Sequence, residues 1–326
     1  MKVNTIEDFS EKCKNSYLIE LDKIRDRIEL INSYRNYDFI IKNLKNGKMK
    51  SVNAMEIKKN KPVIIVGSGY SLNAAIPDLK EWKHDIICSP SQFSTLIYHG
   101  IIPTYIMLSG TFAIMDEFAI DSWDDKDMKF VVSVSFSPPA LRYLVNKKKM
   151  VYIYTRNQEG KEFLNVIKSG YHSYDESVSA AREDLVFKDL IDADIKVNNL
   201  ATILQIKMAE RLGYNPIILI GADSIIDRSD IWYYKNKKWQ CIVHDKKMGG
   251  QSAMIWDKIE KKLQKEKRVS EVFKYKGKLT SEVLYCIKEM TDNAIKKCTK
   301  KVIDCSDGIL EAATNGKIEN IIRRYK

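Results

Sequence analysis

Two glycines that close a run of β-branched residues, Val63-Ile-Ile-Val-Gly-Ser-Gly-Tyr-Ser-Leu72, are the first place in this chain where chemistry can be expected. Glycine lets a backbone approach a phosphate closely and present N–H groups to it, and a helix opening directly afterwards adds its positive end. The turn does not complete a dinucleotide fingerprint. Leu72 stands where a third glycine would sit, and the next apolar run ends in Cys88-Ser-Pro-Ser91 with no acid to hold an adenine ribose. It is not a P-loop either, since no Gly-Lys-Ser/Thr follows. Tyr70 is the unusual residue, a bulky ring inside a turn built from glycine and serine.

The other reactive side chains are sparse. Of the four histidines, His84 and His99 fall at expected helix ends and His172 in a polar stretch. His244 follows an expected hairpin, Trp239-Gln-Cys-Ile-Val-His244, and precedes the polar Lys246-Lys-Met-Gly-Gly250. A near-neutral pKa suits such a histidine to general-base work. Asp223 and Asp227 are the carboxylates best placed to pair at a strand end, which Mg²⁺ chemistry between phosphates would require. Cys13, Cys88, Cys241, Cys286, Cys298 and Cys305 form no C-x-x-C pair, so zinc and a disulfide framework are both excluded in favour of reduced, structural thiols.

These residues need a scaffold, and the texture from Lys61 onward supplies one. Strand signals at Val63–Val66, Ile86–Cys88, Tyr105–Leu108, 130–134, 151–154 and 216–221 alternate with helical patches at 76–82, 91–99, 138–146, 157–168 and 198–212. The alternation predicts an α/β, Rossmann-like fold with a mainly parallel twisted sheet and helices on both faces. Residues 5–45 carry an apolar stripe at helical spacing (Tyr17, Leu21, Ile24, Ile28, Ile31) and predict a helical arm suited to packing or oligomerisation. Residues 47–61 read as a lysine-rich connector. The expected division is an arm and connector over 1–60, a nucleotide-binding core over 61–245, and a basic helical C-terminal region over 246–326 with one strand, 301–305, returning to the sheet.

A net charge of +11 favours an anionic partner. The basic clusters Lys235-Asn-Lys-Lys238 and 261–268 lack aromatic interleaving or any nucleic-acid module, which points away from nucleic acid. A peripheral contact with an anionic membrane fits the charge better. The N-terminal MKVNTIEDFSEK has no apolar core of a signal peptide, and no run of about 18 apolar residues exists to cross a bilayer. A cytoplasmic protein, peripheral at most to the inner face of the membrane, is expected.

The stretch 63–72 resembles the Gly-x-Gly-Pro-Ser-Leu turn of two related groups. One is the motility-associated-factor and MptE-like 6-hydroxymethylpterin diphosphokinase family; the other is the bacterial single-domain sialyltransferases that use CMP-sialic acid. The likeness continues through Asn199-Leu-Ala-Thr202 to Arg211-Leu-Gly-Tyr-Asn-Pro-Ile-Ile-Leu-Ile-Gly-Ala-Asp223, and through Lys301-Val-Ile-Asp-Cys-Ser-Asp-Gly308, so that it spans roughly residues 60–310. It departs from the pattern at Tyr70, where the family carries proline. It departs again at Ser109-Gly110, where motility-associated members often carry Leu-Asp and sialyltransferases an asparagine.

The resemblance implies a nucleotide or nucleotide-sugar donor lying across the strand ends. Gly67, Ser68, Gly69, Tyr70 and Ser71 would lie by its phosphates. Cys88–Phe93, with Ser89, Ser91 and Gln92, would line the nucleoside or sugar together with Ser109, Gly110 and Thr111. Asn199 and Thr202 would join them, and Asp223 would hold a ribose hydroxyl or a metal. His244 would be the general base, and Tyr233 and Tyr234 would hydrogen-bond a departing CMP phosphate. The implied reaction is transfer of a sialic-acid-like sugar from a CMP donor to a glycan or glycoprotein, with no cofactor required. The alternatives are an ATP-dependent diphosphokinase, with Mg²⁺ at Asp223 and Asp227, and a non-catalytic nucleotide-binding or assembly protein.

Overall fold

The computed structural model of the chain describes residues 32–33, 35–108, 128–154, 201–225, 232–235, 238–241, 255–257, 262–265, 268–270 and 272–325. The strand β2 (Val63–Val66) is the centre of the fold, and all four of its side chains are buried. Beside it lie β3 (Asp85–Cys88), β4 (Tyr105–Leu108), β5 (Lys129–Ser133), β6 (Met150–Tyr154) and the edge strand β1 (Met49–Ser51), in that order. On its other side are β7 (Ile217–Ile220), β15 (Val302–Asp304) and β16 (Thr314–Asn315). Every pairing in this nine-stranded sheet is parallel. Parallel strands are covered on both faces, which is why the sequence carries them as continuous apolar runs.

Alternate residues go to opposite cores. Ile64, Val66, Ile86, Cys88, Ile218 and Ile220 point into one, with α2 (Ser71–Leu79), α3 (Pro90–Tyr98), α4 (Pro138–Asn146) and α7 (Ile318–Tyr325). Val63, Ile65, Ile87, Ile217 and Leu219 point into the other, under α5 (Ala201–Arg211) and α6 (Glu282–Lys297). Each fully buried aliphatic side chain contributes about 1.5–3 kcal/mol, so the central strands anchor everything mounted on them. The expected α/β sheet with helices on both faces is therefore present, and β15 lies in it beside β7.

Three local expectations change. The helix after the glycine turn begins at Ser71, not near Ile76, so Pro77 lies in its interior and leaves the Asn73 carbonyl without its usual donor. The polar connector contains β1, which pairs in parallel with β6, and Met49, Val52 and Met55 are buried anchors among its lysines. Among the described residues after 246, helix begins at Glu282. Before that, β8 (Trp232–Lys235), β9 (Lys238–Cys241), β10 (Ile255–Asp257), β11 (Lys262–Lys265) and β12 (Arg268–Ser270) form an antiparallel meander, followed by the hairpin β13–β14 (Val272–Tyr275, Lys278–Ser281). These are strands of three or four residues, too short to set up a clear period of two.

Of the N-terminal arm, residues 35–45 form a helix, α1, that joins the core through Ile40. Asn36 donates to the carbonyls of Val134 (3.0 Å) and Phe136 (2.7 Å), and Asn32 to that of Ser135 (3.2 Å). The arm thus holds the loop at the carboxyl end of β5.

Candidate functional site

Strand order reverses direction at β2: β3 to β6 lie on one side and β7 with β15 on the other. The helix that follows β2 and the one that precedes β7 pack on opposite faces, so the chain diverges at the carboxyl ends of this pair. Open parallel sheets bind ligands at such a switch point. Gly67, Gly69, Gly221 and Asp223 all lie there.

The two strand ends are zipped together. Gly67 N–H donates to Ile220 O and Gly69 N–H to Gly221 O, both at 2.7 Å. A Cβ on Gly67 would lie 2.4 Å from Gly221 O, and one on Gly221 (φ +69°) would lie 2.5 Å from Gly67 O. Asp223 then reaches across to the start of α2. It is 1% exposed, and it accepts the Ser71 N–H at 2.8 Å on Oδ2 and the Ser71 hydroxyl on Oδ1. Tyr70, the residue before the helix, makes no side-chain cap bond, so Asp223 caps α2 from a distant strand. Leu72 and Asn73 N–H groups return to Gly69 O and Tyr70 O.

This corrects one expectation about the turn. The backbone N–H groups of Gly67, Gly69 and Ser71 are already bonded inside the protein, so they do not await a phosphate in this structure. Tyr70 faces a different way from a stacking platform. Its ring packs against the cluster of Ile225, Tyr285 and Ile309, and its hydroxyl donates to the Asp307 carboxylate. Lys278 on β14 donates to the same carboxylate and, at 2.6 Å, to Asp307 O.

The third strand end, that of β15, is acidic. Ser306 Oγ accepts from Ala222 N–H (2.9 Å), Ile309 N–H donates to Asp223 O (3.1 Å), and Gly308 packs on the Asp223 backbone. Burial pushes the Asp223 carboxyl up, against the pull of the two Ser71 hydrogen bonds, and the neighbouring Asp307 charge adds to the rise. Asp304, 4% exposed, is pushed up to about 6 chiefly by burial, with the Asp223 and Asp292 charges adding to it. A raised folded-state pKa means that the folded chain holds a proton the unfolded chain releases, so stability falls as pH rises from about 4 to about 6 and stays lower above that. Asp304→Asn keeps an oxygen for the Ser306 N–H, which donates at 2.9 Å. It is therefore expected to raise the melting temperature at pH 8 and leave it nearly unchanged at pH 4; an equal effect at both pH values would show that the charge is not the cause.

At the end of β3, Ser89 begins α3 and its hydroxyl donates to Gln92 Oε1; both side chains are buried. Ser91 stands in the first turn of α3, and Thr202, half-buried, in the first turn of α5. Tyr233 pairs with Gln240 and Tyr234 with Trp239 in the backbone register of the β8–β9 hairpin. Ser109, Gly110, Thr111, Asn199, Asp227 and His244 lie outside the described residues. The structure thus brings together Gly67–Ser71 and Asp223, and adds Lys278, Asp304 and Asp307, which carried no assigned role in the sequence.

His84 and His99 belong elsewhere: His84 Nε2 meets Tyr325 O at 2.9 Å and His99 closes α3, both at the amino ends of strands. Burial pushes the Cys88 thiol up and that of Cys305 to about 12, so neither is a thiolate nucleophile at neutral pH. Among the described residues, the acids close enough to share an ion are Glu289, Asp292 and Glu311, within 4.8 Å of one another. The Lys288 ammonium already pairs with all three.

A nucleotide-type α/β sheet with a glycine turn at its switch point is the class that fold and site define. The chain belongs to the 6-hydroxymethylpterin diphosphokinase MptE-like family, whose model matches residues 32–228. None of the curated proteins matches it. Among solved structures, that of the Maf glycosyltransferase from Magnetospirillum magneticum AMB-1 is similar, with a TM-score of 0.50 and 15% identity. The similarity covers 83% of this chain and 35% of that one, and it is a likeness of fold. No helix among the described residues is long and apolar enough to cross a membrane.

Proposed function

We propose that this chain is a glycosyltransferase that takes a nucleotide-activated sugar, with a CMP-linked nonulosonic acid as donor and a glycan or glycoprotein as acceptor. The observation that carries the reading is the glycine turn at the β2/β7 switch point, where a donor has a crevice beyond the strand ends and polar groups on three of them. Family membership and the fold shared with a Maf glycosyltransferase support it. In this reading His244 takes the proton of the acceptor hydroxyl as that oxygen attacks the anomeric carbon. Inversion follows, and CMP leaves with its phosphate charge met by Tyr233, Tyr234 and nearby cations. Ser89 and Gln92, with Ser91, Ser109, Gly110, Thr111, Asn199 and Thr202, line the donor. Asp223 acts by fixing the turn through Ser71. No metal is required, and the work is cytoplasmic, with the basic surface available to an anionic membrane.

A diphosphokinase, the activity in the family's description, is the second reading. It needs convergent carboxylates for Mg²⁺. Asp223 already accepts on both oxygens from Ser71, which leaves this reading weaker.

CMP is expected to raise the melting temperature more than ATP with Mg²⁺ does, and a response to ATP–Mg²⁺ alone would reverse the order. His244→Ala is expected to abolish CMP-sugar turnover with CMP binding retained. Undiminished turnover would remove His244 from the mechanism.

A further inference from the structure

Asp307, on the turn after β15, holds two donors that nothing else in the fold requires it to hold. The Tyr70 hydroxyl and the Lys278 ammonium come from separate segments, the glycine turn and the β13–β14 hairpin, and both converge on its carboxylate. One anion between a phenol O–H and an ammonium, beside the switch point, has the donor set of a phosphate seat. Three of the turn's N–H groups, those of Gly67, Gly69 and Ser71, are bonded internally and Asp223 already caps the helix, so side chains are left to supply most of that seat. We propose that Tyr70 and Lys278 form the seat for the phosphate of a bound nucleotide, and that the Asp307 carboxylate occupies it as an internal stand-in that the ligand displaces.

The energetics suit exchange. The Asp307 side chain is 68% exposed and that of Lys278 33%, so their ion pair is a weak, solvent-screened surface one. A phosphate brings more charge and more acceptor oxygens to the same two donors. Displacement takes a rotation of the Asp307 side chain towards solvent, while its carbonyl, which also accepts from Lys278 at 2.6 Å, stays with a backbone fixed by its neighbours: Gly308 packs against Asp223, and Ile309 N–H bonds Asp223 O. Tyr70 itself packs against Ile225, Tyr285 and Ile309, so its hydroxyl stays in place while the anion changes. Asp307 also sets the local field. Its charge raises the Asp223 carboxyl, and moving it away leaves the strand ends less negative for an incoming phosphate.

The seat rests on the nucleotide reading above, and the test separates the two. Binding of CMP and of ATP, each beside its uncharged nucleoside, is measured by calorimetry on the full chain and on Asp307→Asn, Asp307→Ser, Lys278→Gln and Tyr70→Phe. Removing the stand-in is expected to tighten binding of the preferred nucleotide about tenfold, with the nucleoside unaffected. Lys278→Gln and Tyr70→Phe are expected to weaken it about tenfold, again only where phosphate is present. Using two replacements at Asp307 guards against one that folds poorly. If the wild type binds a nucleotide and the Asp307 variants bind it no more tightly, the seat is overturned while the nucleotide reading stands. Equal gains for nucleotide and nucleoside would also overturn it, and binding by no variant would remove both.

Discussion

Gly67→Ala is expected to destabilise the fold by roughly 3 kcal/mol or more, among the largest effects of any single methyl in this chain. The added carbon would sit 2.4 Å from Gly221 O, 2.8 Å from Gly221 C and 3.2 Å from Ala222 N. All three atoms are backbone, so no side chain can rotate away. Relief must come from moving the ends of β2 and β7 apart, which breaks the two 2.7 Å bonds from Gly67 N–H and Gly69 N–H. It also pulls Asp223 from Ser71 and uncaps α2. Gly277→Ala at the hairpin tip is the control. Unlike Gly67 it has a positive φ, of +79°, but no heavy atom lies within 4 Å of its Cβ, so only the backbone term of about 1–2 kcal/mol applies. Urea denaturation of both variants reads the difference. Equal midpoints would mean that the strand ends are not clamped, and the account of the turn given above would fail.

That clamp shows which parts of the molecule the sequence could express. The central strands were legible because burial on both faces leaves an unbroken apolar run, and Val63–Val66 and Ile217–Ile220 have no other reading in an α/β chain. The glycine turn was legible for the same local reason. What joins the turn to its surroundings was not. Ser71 finds its cap 152 residues away at Asp223, so the helix starts earlier than its own residues indicate. Tyr70 looked out of place because its partner, Asp307, is 237 residues distant. Neither pairing leaves any local signature. Of the β8–β12 meander only a hairpin near Trp239 was legible, because strands of three or four residues are too short to show a period of their own. The acids of Asp304-Cys-Ser-Asp307 were visible as a motif, but their work depends on β15 lying beside β7, a fact of topology.

Lys288→Met is the second large effect, and its pH dependence identifies its cause. The Lys288 side chain is 2% exposed on α6, with its ammonium 2.6 Å from Glu311, 2.8 Å from Glu289 and 3.0 Å from Asp292. Its charge also lies over the rings of Tyr275 and Tyr285, at 5.3 and 5.6 Å. Burial by itself would lower the lysine pKa, but hydrogen bonds to Glu289, Glu311 and Asp292 outweigh it, so the group stays charged well above its ordinary range. Methionine fills the same volume and removes only the charge. Asp292, itself 3% exposed, is then buried without its cation, and breaking a buried pair in this way costs about 3–5 kcal/mol. The loss should fade in acid. Hydrogen bonds from Lys276 and Lys288 hold the Glu311 carboxyl down at about 2. A depressed carboxylate pKa gives stability that is present above the unfolded value, near 4.5, and lost as pH falls towards 2. Denaturation at pH 7 and at pH 3 should therefore show a wide gap between wild type and variant that narrows in acid. A gap of the same width at both would assign the effect to packing against Tyr275 and Tyr285, and the electrostatic account would be discarded.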